Sequence, residues 1–195
     1  MNKLLVSIFL LVGQIIFYSC HLPHDREIIC ETNFKKARDL AYKNPTDSSA
    51  LDSALIIVNR SMQCDSIKLA VIDLKIRLLL TLGKYNEGSK FIDSLQSSDF
   101  NYSYKKPLNH DNFVALSFAS QGDTVSRDRV YKKMAADIES YITGNNLKSK
   151  EFQEAFIDLN ILQERFLDSI ALKKVVDSFK IKYPDEERFF EFFKN

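Results

Sequence analysis

Apolar residues recur every three to four positions along nearly the whole chain after its N-terminal segment. This spacing is typical of amphipathic α-helices and differs from the alternation expected of strands. The first three predicted helices cover residues 27–43, 48–63 and 67–82. Pro45 disfavours helix at the residue before it and separates the first two, with Thr46 or Asp47 as the cap of the second. Asp65 or Ser66 is expected to cap the third helix. Apolar residues cover most sides of that helix, so it is predicted to lie between neighbouring helices on two sides.

Two glycines lie within the otherwise helical stretch LLTLGKYNEGSKFIDSL, residues 79–95. Gly83 follows an apolar run, where a left-handed residue commonly ends a helix, so a tight turn and a second helix are predicted. Gly83 and Tyr85 resemble the turn of a tetratricopeptide repeat, and Gly88 resembles the small residue at which its two helices approach closely. Leu95 departs from that family, which has a small residue there.

The same unit recurs, less clearly, further along the chain. Gln121, Gly122 and Asp123 occupy an equivalent turn, after a helix that carries the small residue Ala115. A last predicted pair lacks the glycine but ends at Pro184, where the family has a closing proline. The resemblance implies an all-α fold of antiparallel helical hairpins stacked as a right-handed superhelix; an irregular helical bundle is the alternative.

The C-terminal segment PDEERFFEFFKN predicts a short final helix, because Pro184 suits a first helical turn and acidic residues follow it. Phe189, Phe190 and Phe193 share one face of that helix. An array of helical repeats needs a terminal element that covers its last apolar face, so a capping helix is expected. An exposed aromatic patch for a partner is the alternative.

The N-terminal segment differs from the rest, since it is apolar from residue 4 to residue 17 and ends in Ser19 and Cys20. It is too short to span a membrane comfortably and is typical of a secretory signal. A small residue directly before cysteine resembles the lipobox of bacterial lipoproteins, although Phe17 and Tyr18 depart from it. The resemblance implies cleavage after residue 19 and a diacylglycerol on Cys20; a plain signal peptide or an uncleaved anchor is the alternative.

This organisation divides the chain into a signal peptide, residues 1–19, a lipidated polar tether, residues 20–26, and a helical domain, residues 27–195. Lipidation implies a bacterial cell envelope, and the outer membrane is the expected location. His21 and His24 of the tether form only a weak metal pair, because no carboxylate or cysteine framework surrounds them in sequence. A solvated linker is preferred there, and no metal site is predicted.

Charge and motifs exclude several classes of function. The formal net charge of +1 leaves no basic excess for phosphate contacts, so nucleic acid is not an expected partner. No phosphate loop, Cys-x-x-Cys pair or His-Glu-x-x-His motif occurs, and His110 is the only histidine of the helical domain. His110 lies beside Asp111 at a predicted helix start and is interpreted as structural, so neither catalysis nor a cofactor is predicted.

The tetratricopeptide resemblance implies a concave groove, lined by the first helix of each hairpin, that binds peptides or helices. On that geometry the predicted partner-binding residues are Asp73, Arg77, Asn109 and Asn112. Asp73 and Arg77 are also four residues apart on one helix, so a simple surface ion pair is the alternative.

Cys30 and Cys64 are the two thiols that remain if Cys20 is lipidated, and export makes a disulfide between them chemically possible. Pro45 lies between them in an antiparallel hairpin, so both fall at its open end. Each also lies on a stripe at helical spacing whose alanines allow the helices to approach near the turn, although the hairpin could splay at its open end. We therefore predict the disulfide; two buried thiols that never meet are the alternative.

The sequence thus predicts a membrane-tethered lipoprotein that binds a protein partner, as a scaffold or assembly factor of an envelope complex. A small lipidated immunity protein that neutralises a periplasmic toxin is the second hypothesis. An all-α envelope enzyme is the third, and the lack of a catalytic constellation in the sequence disfavours it.

Overall fold

The computed structural model describes residues 22–193, and in that range all regular structure is helical. Its nine α-helices, numbered in chain order, are α1 Leu22–Lys43, α2 Ser48–Ser61, α3 Lys68–Thr81, α4 Tyr85–Asp93, α5 Lys105–Ser120, α6 Thr124–Gly144, α7 Ser149–Gln163, α8 Ser169–Lys182 and α9 Glu187–Phe190. Short 3-10 turns occupy Asp65–Ile67, Ser97–Asp99, Pro184–Glu186 and Glu191–Phe193. The predicted all-α fold class is confirmed.

The helices form two compact units, which divide after Gly83. In the first unit α1 packs on α2, and α2 packs on α3. In the second unit α4 packs on α5, α5 on α6 and α6 on α7. Within each unit, helices that are adjacent in sequence are therefore adjacent in space, as expected for successive helical hairpins.

Small residues form the interface between α1 and α2. Ala37 of α1 and Ala54 of α2 are fully buried, in agreement with the stripes of small residues read from the sequence. Without long side chains between them, the two helix backbones can approach closely. Val71 and Leu79 of α3 are fully buried as well, and they supply larger apolar side chains to the same unit.

The first helix is longer than predicted. α1 begins at Leu22, whereas the pattern indicated a start at residue 27, so part of the expected tether is helical. Pro23 lies in its first turn, where a missing backbone N–H costs nothing. The predicted signal peptide and Cys20 lie outside the described residues. No helix of residues 22–193 has the length and apolar character needed to cross a membrane.

The caps of α2 and α3 differ in how well the sequence predicted them. Oδ1 of Asp47 accepts hydrogen bonds from the backbone N–H groups of Ser49 and Ala50, at 2.9 and 3.2 Å, and so caps α2 as expected. The expected cap of the third helix is wrong. Residues 65–67 form a 3-10 turn instead, and α3 begins at Lys68 without a side-chain cap.

Two glycines end helices in the left-handed conformation, which glycine adopts without steric cost. Gly83 follows α3 with a φ of +67°, and Gly122 follows α5 with a φ of +78°. Asp123 then caps α6 by accepting a hydrogen bond from the backbone N–H of Ser126 at 2.9 Å. Both turns are located where the sequence predicted them.

Gly88 of α4 is buried because an aromatic ring occupies the space beside it. A Cβ atom at this position would lie 2.1 Å from Cε1 of Phe113 on α5. The Phe113 side chain is itself fully buried. The tetratricopeptide resemblance implied a close approach of Gly88 to the preceding helix of its hairpin, whereas the three nearest atoms belong to Phe113 of α5, the helix that follows in the chain.

The C-terminal helix α9 covers the apolar end of the second unit. Phe190 is 1% exposed, and its ring centroid lies 5.0 Å from that of Phe156 on α7. Phe193 contacts the same ring at 5.3 Å. Phe192, in contrast, is 83% exposed. The tail is therefore a capping element, as predicted.

Candidate functional site

A pocket of about 250 Å³ lies between α5 and α6 in the second unit. Its floor is apolar and includes Leu108 of α5, with Met134 and Ile138 of α6. Met134 and Ile138 are buried, whereas Pro107 and Asp137 on the rim are exposed, so the pocket opens to solvent. We call this feature the α5–α6 pocket.

Helical spacing explains why its residues come together. Met134, Asp137, Ile138 and Tyr141 follow one another at intervals of one to three positions within two turns, which places them on one side of α6. Leu108 and Asp111 lie three positions apart on α5. The packing of α5 on α6 brings the two sets face to face.

Two tyrosine rings form a wall of the pocket. Tyr104 immediately precedes α5, and Tyr141 lies near the end of α6. Their ring centroids are 4.9 Å apart, with the planes tilted by 42°. Tyr102 stacks beside Tyr104 at a centroid distance of 6.1 Å. The wall is therefore a small aromatic cluster in which Tyr104 is central.

Each of these tyrosines donates a hydrogen bond from its hydroxyl group to a carboxylate of α7. The pairs are Tyr104 with Asp158 at 2.9 Å, Tyr102 with Glu154 at 3.5 Å, and Tyr141 with Glu151. The three acceptors lie at intervals of three and four residues and so share one face of α7. Helix α7 thereby orients the rings that form the wall.

The pKa values of these phenols agree with a donor role. Burial raises the pKa of Tyr104 well above its usual value, and the charge of Asp158 raises it further. Burial and the hydrogen bond to Glu151 also raise the pKa of Tyr141. Lys105 donates a second hydrogen bond to Asp158, with 2.6 Å between Nζ and Oδ2. Both hydroxyl groups therefore stay protonated at neutral pH.

The rim of the pocket is acidic. Asp111 and Asp137 both line it, and Nζ of Lys133 lies 2.8 Å from Oδ2 of Asp111 and 3.0 Å from Oδ2 of Asp137. His110 contacts the other oxygen of Asp111 at 3.0 Å and approaches Asp93 at 3.6 Å. His110 lies inside α5 and not at the helix start that the sequence indicated.

The pKa shifts of this cluster follow from its hydrogen bonds. Burial alone would raise the pKa of Asp111, but the hydrogen bonds from Lys133 and His110 outweigh burial, and the pKa lies below its usual value. Hydrogen bonds to Asp111 and Asp137 raise the pKa of Lys133. Asp111 and Lys133 are therefore both charged at neutral pH, and the pocket combines an apolar floor, an aromatic wall and an acidic rim.

The four predicted partner-binding residues do not line this pocket. Asp73 and Arg77 belong to the first unit, where they form an ion pair at 2.9 Å with both side chains 63% exposed. Asn109 and Asn112 lie on α5 in the second unit, and Nδ2 of Asn109 donates to the backbone carbonyl of Lys105 at 2.8 Å. The two pairs therefore lie in different units, and the ion pair considered for Asp73 and Arg77 is present.

Sequence reasoning did not identify the α5–α6 pocket. The sequence signal for the pocket was the recurrence of Met134, Ile138 and Tyr141 along a predicted helix. Such spacing is typical of any helix face that packs on a core, so it does not indicate a pocket. The decisive contact, from Tyr104 to Asp158, joins residues 54 positions apart. Such a pair is visible only after the helices have packed.

The predicted cysteine pair is joined in the first unit. Cys30 and Cys64 form a disulfide with their Cα atoms 6.0 Å apart, within the limit of about 7 Å for such a bond. Both cysteines are buried. Cys64 follows the end of α2, and the hydroxyl group of Ser61, the last residue of α2, donates to the backbone carbonyl of Cys30 on α1 at 3.3 Å beside the disulfide.

Among the residues that the structure describes, no group of three or more His, Cys, Asp or Glu side chains is placed to hold a metal ion. The side chains of His21 and His24 lie outside that part of the chain. Comparison with protein families, curated proteins and solved structures found no match. The geometry of the α5–α6 pocket therefore carries the case for a functional site.

Proposed function

We propose that the chain is a lipid-anchored protein of the bacterial cell envelope, at the outer membrane, that binds a protein partner. The apolar segment before Ser19 and Cys20 supports the anchor. The disulfide between Cys30 and Cys64 supports export, because such bonds persist in oxidising compartments and are rare in the cytosol. Both features agree with a mature chain that functions outside the cytoplasm.

The α5–α6 pocket is the observation that carries the binding proposal. Its volume of about 250 Å³ is below the roughly 300–1,000 Å³ of typical small-molecule sites. A pocket of this size suits one side chain of a partner, since protein interfaces concentrate binding energy in a few anchors that fill desolvated pockets. Together with the tetratricopeptide resemblance, this favours a scaffold or assembly factor of an envelope complex.

Capture of the partner from detergent-solubilised membranes tests the proposal when the pocket is blocked in a matched variant. Pro107 is exposed on the rim, so Pro107→Trp adds a bulky ring at the opening. Lys132→Trp adds the same ring at an exposed position of α6 that does not line the pocket. We expect mass spectrometry to find a protein that the native chain and Lys132→Trp retain and that Pro107→Trp loses.

Equal retention of every captured protein by the two tryptophan variants would overturn binding at the pocket. The identity of a protein that only Pro107→Trp loses also separates the two hypotheses about its role. A component of an envelope complex would agree with a scaffold, whereas a secreted toxin would assign the chain to the immunity lipoproteins.

A further inference from the structure

We infer that the α5–α6 pocket receives the side chain of a lysine or arginine presented by the protein partner, an inference that rests on the proposed function. Such a side chain is apolar along its stem and charged at its end. The pocket is divided in the same way, with Met134 and Ile138 buried in its floor and the carboxylates of Asp111 and Asp137 at its rim. The stem can lie on the floor while the charged end reaches the carboxylates.

Charge at the rim favours a cation over a neutral or anionic group. Asp111 and Asp137 both pair with Lys133, at 2.8 and 3.0 Å, and these three groups together carry a net charge of −1. The Lys133 side chain is 60% exposed. The Asp137 side chain is 60% exposed as well, and an exposed ion pair contributes little free energy, so the cation of a partner can share Asp137 with Lys133 or displace Lys133 from it.

The aromatic wall adds a second preference for positive charge. The rings of Tyr104 and Tyr141 have centroids 4.9 Å apart, and their hydroxyl groups are held by Asp158 and Glu151. A cation within about 6 Å of a tyrosine centroid is attracted to the face of the ring. Nζ of Lys105 already lies 5.2 Å from the Tyr104 centroid, so the preference for a further cation rests on Tyr141. Wall and rim therefore favour the same charge, while the apolar floor favours a cation that carries a hydrocarbon stem.

Methyl NMR of the full chain in detergent gives a direct measurement, because Met134 forms part of the pocket floor. The probes are blocked pentapeptides with arginine, lysine, norleucine or glutamate as the central residue and alanine elsewhere. Norleucine keeps the hydrocarbon stem and removes the charge. Met62 follows α2 in the first unit and is an internal control.

We expect the arginine and lysine peptides to shift the Met134 methyl signal to saturation and to leave the Met62 signal unchanged. Their affinity should exceed that of the norleucine peptide roughly tenfold, and the glutamate peptide should not bind. Propylguanidinium, which has the charge and stem but no peptide, should bind more weakly than the arginine peptide.

Three variants test the contribution of the rim. Asp137→Asn should lower the affinity for the arginine peptide several-fold. Glu139→Gln removes the same charge from an exposed position of α6 that does not line the pocket, and it should leave the affinity unchanged. Lys133→Met removes the cation that pairs with both carboxylates, while His110 still contacts Asp111, and it should strengthen binding of the arginine peptide.

Equal affinity for the arginine and norleucine peptides, or no Met134 shift with either cationic peptide, would overturn the inference. Tighter binding of propylguanidinium than of the arginine peptide would overturn it as well, since the pocket would then be a site for a small free cation. Pocket-dependent capture of a protein despite such a result would keep the proposed function and require a different anchor.

Discussion

At Gly88, α4 approaches the buried ring of Phe113 so closely that a methyl group has no room. We expect Gly88→Ala to destabilise the protein by about 1–3 kcal/mol, because overpacking exceeds the gain in helix propensity of up to about 1 kcal/mol. Gly88→Leu should have a larger effect in the same direction. Urea unfolding followed by circular dichroism measures the difference.

Gly144→Ala is the matched control, because Gly144 is the last residue of α6 and has no atom within 4 Å of the added carbon. This variant should be neutral or slightly more stable. A Gly88→Ala protein as stable as the native one would show that Phe113 can move aside and that the small residue is not required.

The carboxylate of Asp111 should make the stability of the folded protein depend on pH. The pKa of Asp111 is lower in the folded state than in the unfolded chain, where it is about 3.9. The ionised carboxylate therefore stabilises the fold fully above about pH 3.9, and this stabilisation is lost as the pH falls through the lower pKa of the folded state. We expect Asp111→Asn to lower the free energy of unfolding by about 1 kcal/mol at pH 7. The deficit should shrink in urea titrations repeated at pH 3 and below.

Glu139→Gln provides the comparison for this experiment, since Glu139 is exposed on α6 and does not line the pocket. Its stability should follow that of the native protein at both pH values. If Asp111→Asn lowers the free energy of unfolding equally at pH 7 and pH 3, the shape of the Asp111 side chain, and not its charge, stabilises the site.

Among the helices, α1 packs on α2 and is also joined covalently to the segment that follows α2. The disulfide between Cys30 and Cys64 closes a loop with a sequence separation of 34. We expect Cys30→Ala combined with Cys64→Ala to lower the free energy of unfolding by about 2–4 kcal/mol, because the unfolded chain regains the conformations that the loop excluded. Urea unfolding with and without a reductant measures this loss.

The double alanine variant should not respond to the reductant, whereas the native chain should become less stable. Thiol counting on the oxidised, unfolded Cys20→Ala chain should find no free thiol. Two free thiols in that experiment would show that the sulfur atoms remain unbonded in the protein.

For the whole molecule, the proposed lipid on Cys20 determines where both helical units are held. We expect cells supplied with a labelled fatty acid to label the native chain and not Cys20→Ala. The variant should also move from the membrane fraction to the soluble fraction, because the proposed diacylglycerol is its anchor. Fractionation with detection of the label and of the protein measures both effects.

Retention of an unlabelled Cys20→Ala chain in the membrane fraction would favour an uncleaved N-terminal anchor. Equal labelling of the two chains would contradict lipidation at Cys20. Cys30→Ala combined with Cys64→Ala is the control here, since it removes the other two cysteines and should still be labelled.

Much of the fold was predictable because its signals are local. Gly83 and Gly122 end helices through their own backbone conformation, and Asp47 caps α2 through bonds to residues only two and three positions away. The pairing of Cys30 with Cys64 was also accessible, because one hairpin with a known turn fixes which ends are close. The start of α1 was not predicted, because its first turn is largely polar and so lacks the regular spacing of apolar residues that indicates a helix.

The sequence by itself determined the helices, the turns at Gly83 and Gly122 and the capping role of the C-terminal phenylalanines, because each depends on neighbours along the chain. It left the cysteines open between a disulfide and two buried thiols that never meet. Only the tertiary structure decided which side chains line the α5–α6 pocket. Tyr104 and Asp158 meet across 54 positions, and Lys133 reaches Asp111 across 22. Contacts of this kind depend on how α5, α6 and α7 rotate as they pack, and helical periodicity specifies an apolar face without specifying its neighbour.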